Sequence, residues 1–479
     1  MKKILLTLLF IPWQTACRES FLDLQPLSNA NVKSFYNSEA DMIAAINGAY
    51  AGLQATGVYR EIFWVAEVRS DNTEQDAGGT GLSLPLEQID RFDLDATNSV
   101  VANTWRDHYV VIARSNAILD RIDRVTMREE RKKQVGGEAR FLRALMYFNL
   151  VRLFGDVPLA TKEFTNTEDA YGLGRTPAEQ VYTQIINDLK EAETALPVRH
   201  TANNDIGRVT SGAAKTLLGK VYLTRKQYTE AAVKLKEVID SRTYELLPAY
   251  RDVFAVSNGN HKESVFEVQF KAGGIGQGLN WANNFAPRGI PTSIIATGGG
   301  LGFNKPTADI ERAFETGDLR KEISMATGYT GSNGSFVAAP YVRKWIPSTP
   351  ITVAGDTDNN FMVLRYADVL LMYAEVLNET GKSAEALTYL NQIRQRAGLA
   401  ALTELAQPAL RLAIEKERRV ELAFENHRWF DLLRTGRAVE VMRAAFPQFE
   451  GRVGKQLLYP IPQTQIDINP TVIKQNPGY

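Results

Sequence analysis

Residues 278–285 contain the side chains best suited to binding a ligand, because one tryptophan lies among three asparagines. Trp281 is flanked by Asn280, Asn283 and Asn284 in a glycine-rich stretch. A sugar presents an apolar C–H face, which an aromatic ring can cover, and hydroxyl groups, which amides can bind as donors and acceptors. The pattern therefore predicts a carbohydrate-stacking platform at Trp281, with ordinary core packing of the ring as the alternative.

Four other tryptophans lie in segments with their own periodicity. Trp64 and Trp345 are secondary candidates for ligand binding, since both occur in apolar segments that read as helix or strand and core packing is the alternative for each. Trp105 and Trp429 occur in strongly helical stretches. We expect these last two to be structural.

Catalytic motifs are sparse in this sequence. The four histidines are too scattered for a short zinc-binding motif, and no G-x-S-x-G nucleophile elbow occurs. Residues 380–383 resemble the end of a P-loop, but Val376 replaces its leading glycine. Asp356, Asp358 and Asn360 alternate as calcium ligands can, yet the glycine and the distal glutamate of an EF-hand are missing. We predict no catalytic residue, no metal and no cofactor, with paired carboxylates for glycoside hydrolysis left open.

The strongest periodic signals are helical and come in pairs. Gly219 and Ala231 lie twelve residues apart, as do Ala374 and Ala386, and Gly381 marks the turn within the second pair. Small residues at this spacing let the two helices of a hairpin approach closely, as in tetratricopeptide repeats. The sequence predicts a mostly α fold with a tetratricopeptide-like helical hairpin scaffold, an irregular loop-rich lobe and a few short strands.

The predicted scaffold and the predicted lobe occupy different parts of the chain. Helical repeats are expected mainly at residues 100–250 and 360–440, and residues 17–200 form an N-terminal part. Residues 258–358 are rich in Gly, Asn, Thr, Ser and Pro, which predicts the loop-rich lobe. Because binding surfaces often lie on long loops held by a rigid scaffold, the lobe is where a site around Trp281 would be positioned.

The N-terminus predicts export. Two lysines precede an apolar run at residues 4–11, which suits a secretory signal and is too short to span a membrane. Cys17 is the only cysteine and stands where a lipoprotein signal places its lipidated residue, after a signal peptide of residues 1–16. Gln14 occupies a position where such signals usually have Leu, Val or Ile. Ordinary cleavage without lipidation is therefore the alternative.

Residues 420–436 form the most distinctive segment and read VELAFENHRWFDLLRTG. Their aromatic and leucine positions predict one helix with a broad apolar face. Arg428 and Asp431 are three residues apart, where they can pair, and Gly436 suits a left-handed C-cap. We interpret the segment as a buried core helix.

This segment and three others resemble the motifs of the SusD/RagB family of Bacteroidetes outer-membrane lipoproteins. The other three read EARFLRALMYFNLVRLFGDVPL at residues 138–159, RYADVLLMYAE at residues 365–375, and LYPIP followed by QNPGY within residues 458–479. The resemblance covers essentially the whole mature chain. It implies a helical repeat scaffold with an irregular lobe, a lipid anchor at Cys17, and a cell-surface location on the outer membrane.

The resemblance also implies a function and a partner. A family member of this kind captures an oligosaccharide or polysaccharide without breaking a bond, and delivers it to a SusC-like TonB-dependent transporter. The family builds its ligand face partly from the first loop, which here contains Asp71, Asn72, Gln75 and Asp76.

Two other function classes remain open. A peptide-binding uptake protein is one, because helical repeats bind peptides in their concave surfaces and some SusD/RagB relatives are implicated in peptide uptake. An enzyme, either a glycosidase or a peptidase, would require two carboxylates to converge beside Trp281. The chain has 55 basic and 55 acidic residues, so its zero net charge argues against a nucleic acid partner.

Overall fold

The computed structural model describes residues 35–75 and 84–479. The signal segment, Cys17 and Asp76 lie outside these residues. Within the described ranges the chain is mostly helical, with nineteen α-helices and five two-stranded antiparallel sheets. The predicted fold class is therefore confirmed.

The helices have the following bounds in chain order. They are α1 (Glu39–Ala51), α2 (Phe63–Ala66), α3 (Leu84–Asp90), α4 (Ser99–Arg121), α5 (Glu129–Phe154), α6 (Thr167–Tyr171), α7 (Ala178–Ala195), α8 (Ser211–Thr224), α9 (Tyr228–Asp240), α10 (Trp281–Phe285), α11 (Ala308–Ala313), α12 (Lys321–Ser324), α13 (Tyr366–Glu379), α14 (Ser383–Arg396), α15 (Gln407–Glu421), α16 (Arg428–Thr435), α17 (Ala438–Ala445), α18 (Glu450–Val453) and α19 (Gln463–Ile468).

The strands are short and pair in twos. They are β1 (Thr73–Glu74), β2 (Val157–Pro158), β3 (Arg175–Thr176), β4 (Ser264–Val268), β5 (Lys305–Pro306), β6 (Met325–Ala326), β7 (Tyr329–Thr330), β8 (Phe336–Val337), β9 (Tyr341–Val342) and β10 (Phe361–Arg365). Strand β1 pairs with β5, β2 with β3, β4 with β10, β6 with β9, and β7 with β8.

Long helices stack one on the next to form the scaffold. Helix α5 packs between α4 and α7, and the stack continues through α8, α9 and α13 to α14 and α15. A Cβ at Gly219 would lie 2.9 Å from the Leu235 side chain, so the glycine lets α8 and α9 approach closely. Gly381 takes a φ of +79° at the turn between α13 and α14. Both predicted hairpins are present.

The C-terminal motif is not one helix, contrary to the sequence prediction. Helix α15 ends at Glu421 and α16 begins at Arg428. Between them Phe424 and Asn426 have φ values of 64° and 67°, so the backbone turns through the left-handed region twice. The carboxylate of Glu67 stabilises this turn by accepting hydrogen bonds from the backbone N–H groups of both residues, at 3.1 and 2.9 Å.

Two local predictions for this motif have opposite outcomes. Gly436 is the C-cap of α16 with a φ of 76°, which confirms the left-handed cap. The predicted pair of Arg428 with Asp431 is wrong. Arg428 reaches Asp71 instead, at 2.7 Å, and Asp431 binds Arg418 at 3.2 Å. Arg428 thus pairs with a distant part of the chain, whereas Asp431 also pairs locally with Arg434, at 2.8 Å.

The apolar interior continues from the scaffold into the lobe. One large hydrophobic cluster contains side chains of the long helices together with the buried aromatic side chains of the lobe, residues 258–358. A smaller cluster surrounds Trp429, which is buried and packs on Phe92, and Trp105 is buried in the large cluster. The structural role predicted for these two tryptophans is confirmed. No helix in residues 35–75 or 84–479 is long and apolar enough to cross a bilayer.

Candidate ligand-binding site on the loop face

Four loops of the lobe contact one another, and we call the surface that their exposed residues make the loop face. It comprises residues 271–280, 286–303, 327–340 and 346–358. Beneath it lies a buried aromatic cluster made of Phe63, Trp64, Trp281, Phe285, Trp345 and Phe361. The ring centroids of Trp281 and Trp345 are 4.9 Å apart in a T-shaped arrangement, and the centroid of Phe361 is 5.1 Å from that of Trp281. This cluster gives the loops a rigid base.

The cluster corrects the role predicted for the tryptophans. Trp281 is 0% exposed, and its indole N–H donates to the carbonyl of Arg60. Trp64 and Trp345 are also buried, and the Trp345 indole N–H donates to the carbonyl of Phe424 at 3.1 Å. A stacked sugar needs one exposed ring face, and none of the three rings has one. The alternative of core packing applies to all of them.

The three asparagines around Trp281 bind protein rather than solvent. Asn280 donates to the carboxylate of Glu61 at 3.0 Å. Asn283 donates to the carbonyl of Gly298 at 2.7 Å and accepts from the N–H of Gly355 at 2.8 Å. Asn284 is buried in α10, and its main-chain carbonyl accepts from the N–H of Phe303 at 2.8 Å. Of the side chains predicted to bind sugar hydroxyls, the amide of Asn283 therefore holds two loop backbones and that of Asn280 binds a carboxylate.

The alternating acidic stretch also holds a loop. Asp356 accepts hydrogen bonds from the N–H groups of Gly273 and Gly274, both at 2.8 Å. Asp358 accepts from the N–H of Ala272 at 2.8 Å, and Asn360 accepts from the N–H of Phe270 at 2.9 Å. Within the described ranges no group of three His, Cys, Asp or Glu side chains is arranged to hold a metal ion. These oxygens therefore act as caps for the 271–280 loop.

The residues implied by the family resemblance in the first loop are buried where the structure describes them. Asp71 forms a two-point ion pair with Arg428, at 2.7 and 2.9 Å. Asn72 donates to Glu67 at 2.9 Å and accepts from Arg419 at 2.8 Å. Gln75 is also buried. In this conformation Asp71 and Asn72 join the first loop to the C-terminal motif.

The exposed apolar groups of the loop face lie on other residues. Phe336 is 64% exposed on the hairpin of β7 and β8, where it pairs with Thr330. Tyr329, on the facing strand, donates its hydroxyl hydrogen bond to the carbonyl of Gly289 at 3.4 Å. Arg288 is exposed beside that glycine and donates to the carbonyl of Leu301 at 3.2 Å. Adjoining loops thus carry the ring of Phe336, the phenol of Tyr329, the guanidinium of Arg288 and the exposed side chain of Leu301.

Glycine makes this arrangement possible at one point. A Cβ at Gly328 would overlap the carbonyl oxygen of Val337 and approach the ring of Phe336. Only a residue without a side chain lets the hairpin close there. Sequence reasoning missed Phe336 and Tyr329, although a signal exists: residues 329–337 read YTGSNGSFV, which is two short β-prone segments around a Gly and Asn turn.

Glu421 and Glu425 of the C-terminal motif belong to a buried ion-pair network with residues from other parts of the chain. Arg365 contacts Glu425 and Glu421 at 2.6 Å and Glu263 at 3.0 Å. Burial would raise the pKa of Glu421, but Arg396, Arg365 and Arg320 hold it well below its ordinary range. Each of these carboxylates is saturated by cations. The network is therefore suited to stabilising the fold and not to proton transfer.

Two buried carboxylates lack an arginine partner and behave differently. Burial raises the pKa of Glu67 to about 7, against the opposing effect of three N–H donors. Burial also raises the pKa of Asp90 to about 7. Glu67 is bound to the turn that separates α15 from α16, and Asp90 accepts from the N–H of Gln75 at 3.2 Å.

Comparisons with known proteins agree with these features. A family model described as "SusD family" matches residues 270–479, and one described as "Starch-binding associating with outer membrane" matches residues 20–223. The chain is 29% identical to SusD-like protein P2 of Formosa agariphila over 495 residues, which covers 96% of each protein.

Solved structures give the same result. A laminarin-binding SusD-like protein superposes with a TM-score of 0.81 at 29% identity, covering 93% of this chain and 100% of that one. Surface glycan-binding protein A from Bacteroides fluxus has a TM-score of 0.81 at 25% identity, covering 92% of this chain and 100% of that one.

Proposed function

From the premise that this chain belongs to the SusD family, we propose that it captures an oligosaccharide or polysaccharide on the loop face and passes it to a SusC-like TonB-dependent transporter. The observation that supports this most is the exposed ring of Phe336 on a hairpin whose neighbour, Tyr329, is bound to the adjoining loop. The ring can cover the apolar face of a sugar, while Arg288 and Tyr329 supply polar contacts to its hydroxyl groups.

In this mechanism the ligand is bound and released with no bond broken. Asn283 and Asp356 hold the loop backbones in place before the sugar arrives, so little conformational entropy is lost on binding. A polysaccharide face buries little area and its hydroxyl groups are already hydrated, so the affinity is modest. A laminarin-type β-glucan is the first ligand to test, because a structural relative with 29% identity is named for binding laminarin.

The location follows from the same proposal. Cys17 carries the lipid after removal of residues 1–16, and the protein lies on the outer surface of the outer membrane above its transporter. Residues 17–479 then form one SusD-like domain. Labelling cells with palmitate tests the anchor, since Cys17→Ser abolishes incorporation of the label if Cys17 is the acylated residue. Co-purification of a TonB-dependent transporter from solubilised outer membranes tests the partner.

The binding proposal is tested with the fragment from Ser20 to Tyr479. Affinity gels and calorimetry measure binding to laminarin, starch, other polysaccharides and a set of peptides, and each mixture is then examined for products. Retention by a polysaccharide with no released sugar supports the proposal. Released sugars would make the protein an enzyme, and binding of peptides alone would assign it to the peptide-uptake alternative.

A further inference from the structure

A small cavity with both apolar and polar lining lies beside the turn between α15 and α16. Its volume is about 40 Å³. It is enclosed by α5, α8, β10 and the turn between α15 and α16. Its polar lining consists of Tyr59, Asn149, Arg152, Lys220, Glu425, Asn426 and His427. A cavity needs about 10–15 Å³ to hold one water, so this one has room for a small ion with water and none for a sugar ring.

Arg152 brings an unneutralised positive charge to the cavity. Its Nε donates to the carbonyl of Phe148 at 2.9 Å and its Nη2 to Asn149 at 2.6 Å. Across residues 35–75 and 84–479 it forms no ion pair with a carboxylate and its Nη1 donates to no acceptor. Its guanidinium is held between the rings of Phe148 and Phe430, 3.9 and 3.8 Å from their centroids. Burial lowers the pKa of Arg152 to about 10.

The other lining groups add further unused donors. Asn426 is 6% exposed, and both its amide nitrogen and its amide oxygen lack a hydrogen-bond partner. Lys220 donates to Asp368 and to Nδ1 of His427, both at 2.9 Å, which leaves its third N–H free. Because Nδ1 of His427 accepts from a lysine, the ring proton is on Nε2. Arginine, amide, ammonium and imidazole N–H groups therefore outnumber the acceptors available to them.

The carboxylate in the lining does not supply the missing negative charge. Glu425 is bound to Arg365 at 2.6 and 3.0 Å and to Lys344 at 2.8 Å. Lys220 is likewise balanced by Asp368, which also binds Arg418 at 2.8 Å. Arg152 remains as a partly buried cation that contacts no carboxylate among the described residues, because Asp431 and Asp368 act on it only from beyond ion-pair distance. Such a cation is unfavourable in a low-dielectric interior. Water alone could satisfy the donors but could not neutralise the charge.

We infer that this cavity binds a small monovalent anion of chloride size, coordinated by Arg152, by the side-chain amide of Asn426 and by Nε2–H of His427. The anion links α5 to the turn that precedes α16. The anion neutralises the charge of Arg152 and accepts a hydrogen bond from the unpaired side-chain N–H of Asn426. The site is separate from the proposed glycan surface and stands whether or not the loop face binds a sugar.

Crystals of the protein grown or soaked in sodium bromide test the site directly. Bromide scatters anomalously, and the expected result is an anomalous peak in the cavity within hydrogen-bonding distance of Arg152 and Asn426. A cavity that holds only ordered water, with no anomalous signal, overturns the inference.

Asn426→Asp is the informative variant because it places a tethered carboxylate where the free anion would bind. Asp tolerates the positive φ of this position. The variant is expected to fold and to lose the bromide peak. A peak of unchanged height in the variant would contradict the assignment.

Thermal unfolding in solution provides the second measurement. The midpoint of the natural protein is expected to rise by about 1–3 °C when sodium gluconate is replaced by sodium chloride at equal ionic strength. Asn426→Asp and Arg152→Gln should each abolish this increment. Equal midpoints of the natural protein in the two salts would overturn the inference even if a peak were seen.

Arg175→Gln is the matched control. Arg175 also lacks a carboxylate partner, but its nitrogens donate to the backbone carbonyls of Asp156, Lys474 and Phe154. This variant should keep the full chloride increment. An equal loss of the increment in Arg175→Gln and Arg152→Gln would show a general effect of removing positive charge, which contradicts a specific site.

Discussion

The C-terminal motif and the loop face differ in what their polar side chains bind. In and around the motif, charged side chains bind other charged side chains: Arg365, Arg418 and Arg434 each contact two or more carboxylates. In the loop face, polar side chains bind backbone: Asn283 and Asp356 are saturated by carbonyl and N–H groups of neighbouring loops. The first region joins helices to each other, and the second fixes the shape of a surface.

This difference separates family identity from ligand recognition. The most distinctive segment of the sequence, residues 420–436, is largely buried and makes structural contacts. The loop face lies outside the four segments that carry the family resemblance. The segments that identify the family thus build the scaffold, and the exposed residues proposed to contact a ligand lie elsewhere in the chain.

The first prediction removes the cation on β10 that binds Glu421 and Glu425 of the motif. Arg365→Met leaves the carboxylates of Glu263, Glu421 and Glu425 short of positive charge in the interior. We expect a loss of about 3–5 kcal/mol in the free energy of unfolding, because a buried carboxylate without its partner is strongly unfavourable. Urea denaturation followed by circular dichroism measures the change.

A surface ion pair is the control for this variant. Arg411 forms a two-point pair with Glu379, at 2.6 and 2.8 Å, but its side chain is about half exposed. Arg411→Met should cost at most about 1 kcal/mol. Similar losses for the two variants would contradict the view that burial makes the motif structural.

The second prediction tests whether the aromatic cluster supports the loop face. Trp281→Ala removes a fully buried indole and is expected to destabilise the protein by about 3–5 kcal/mol. Trp429→Ala, in the separate cluster around Phe92, should destabilise it by a similar amount.

Ligand binding distinguishes these two variants. Calorimetry at a temperature where both remain folded should show weaker glycan binding for Trp281→Ala only, because that cavity lies under the loops. Full stability of Trp281→Ala combined with lost binding would instead restore the exposed platform predicted from sequence.

The sequence predicted features whose causes are local. The hairpins α8–α9 and α13–α14 follow from small residues at helical spacing, and the cap at Gly436 follows from the need for a left-handed residue at the end of α16. These interactions involve residues close together in the chain. Periodicity and residue type are enough to recognise them.

The predictions made from the sequence are wrong where the residue that determines the structure lies far away in the chain. The break between α15 and α16 depends on Glu67, which lies more than 350 positions earlier in the chain. Arg428 prefers Asp71 to the nearby Asp431 for the same reason. Trp281 is covered by rings from Phe63, Trp345 and Phe361, so its burial cannot be inferred from its glycine-rich neighbourhood. Whether any residue of the loop face contacts a ligand stays a prediction.

The third prediction concerns Glu67 and Asp90, two buried carboxylates whose pKa is raised by burial. Burial raises the pKa of Glu67 from 4.5 to about 7, so the folded state binds a proton more tightly than the unfolded state. The contribution of Glu67 to stability is fully present below pH 4.5 and declines as pH rises to about 7. The loss is on the order of 3 kcal/mol at most.

Glu67→Gln removes this titration. The unfolding free energy of the natural protein minus that of the variant should therefore fall by up to about 3 kcal/mol as pH rises from 4.5 to 7.5, measured by urea denaturation. Asp90→Asn should show the same trend, since burial raises the pKa of Asp90 to about 7 as well. Parallel pH profiles for the natural protein and Glu67→Gln would contradict the prediction.

The last prediction concerns the exposed residue that would contact a sugar. Phe336→Ala removes a ring that is 64% exposed, so the free energy of unfolding should change by no more than about 0.5 kcal/mol. Loss of aromatic stacking should weaken binding of the retained glycan by about 0.5–1.5 kcal/mol, roughly two- to twelvefold in Kd by calorimetry. Phe164→Ala is the matched control, because Phe164 is also exposed, at 40%, and belongs to the connection between β2 and α6. Equal weakening by both variants would remove Phe336 from the binding surface, whereas a selective effect of Phe336→Ala would place recognition on the hairpin of β7 and β8 and leave the C-terminal motif with a purely structural role.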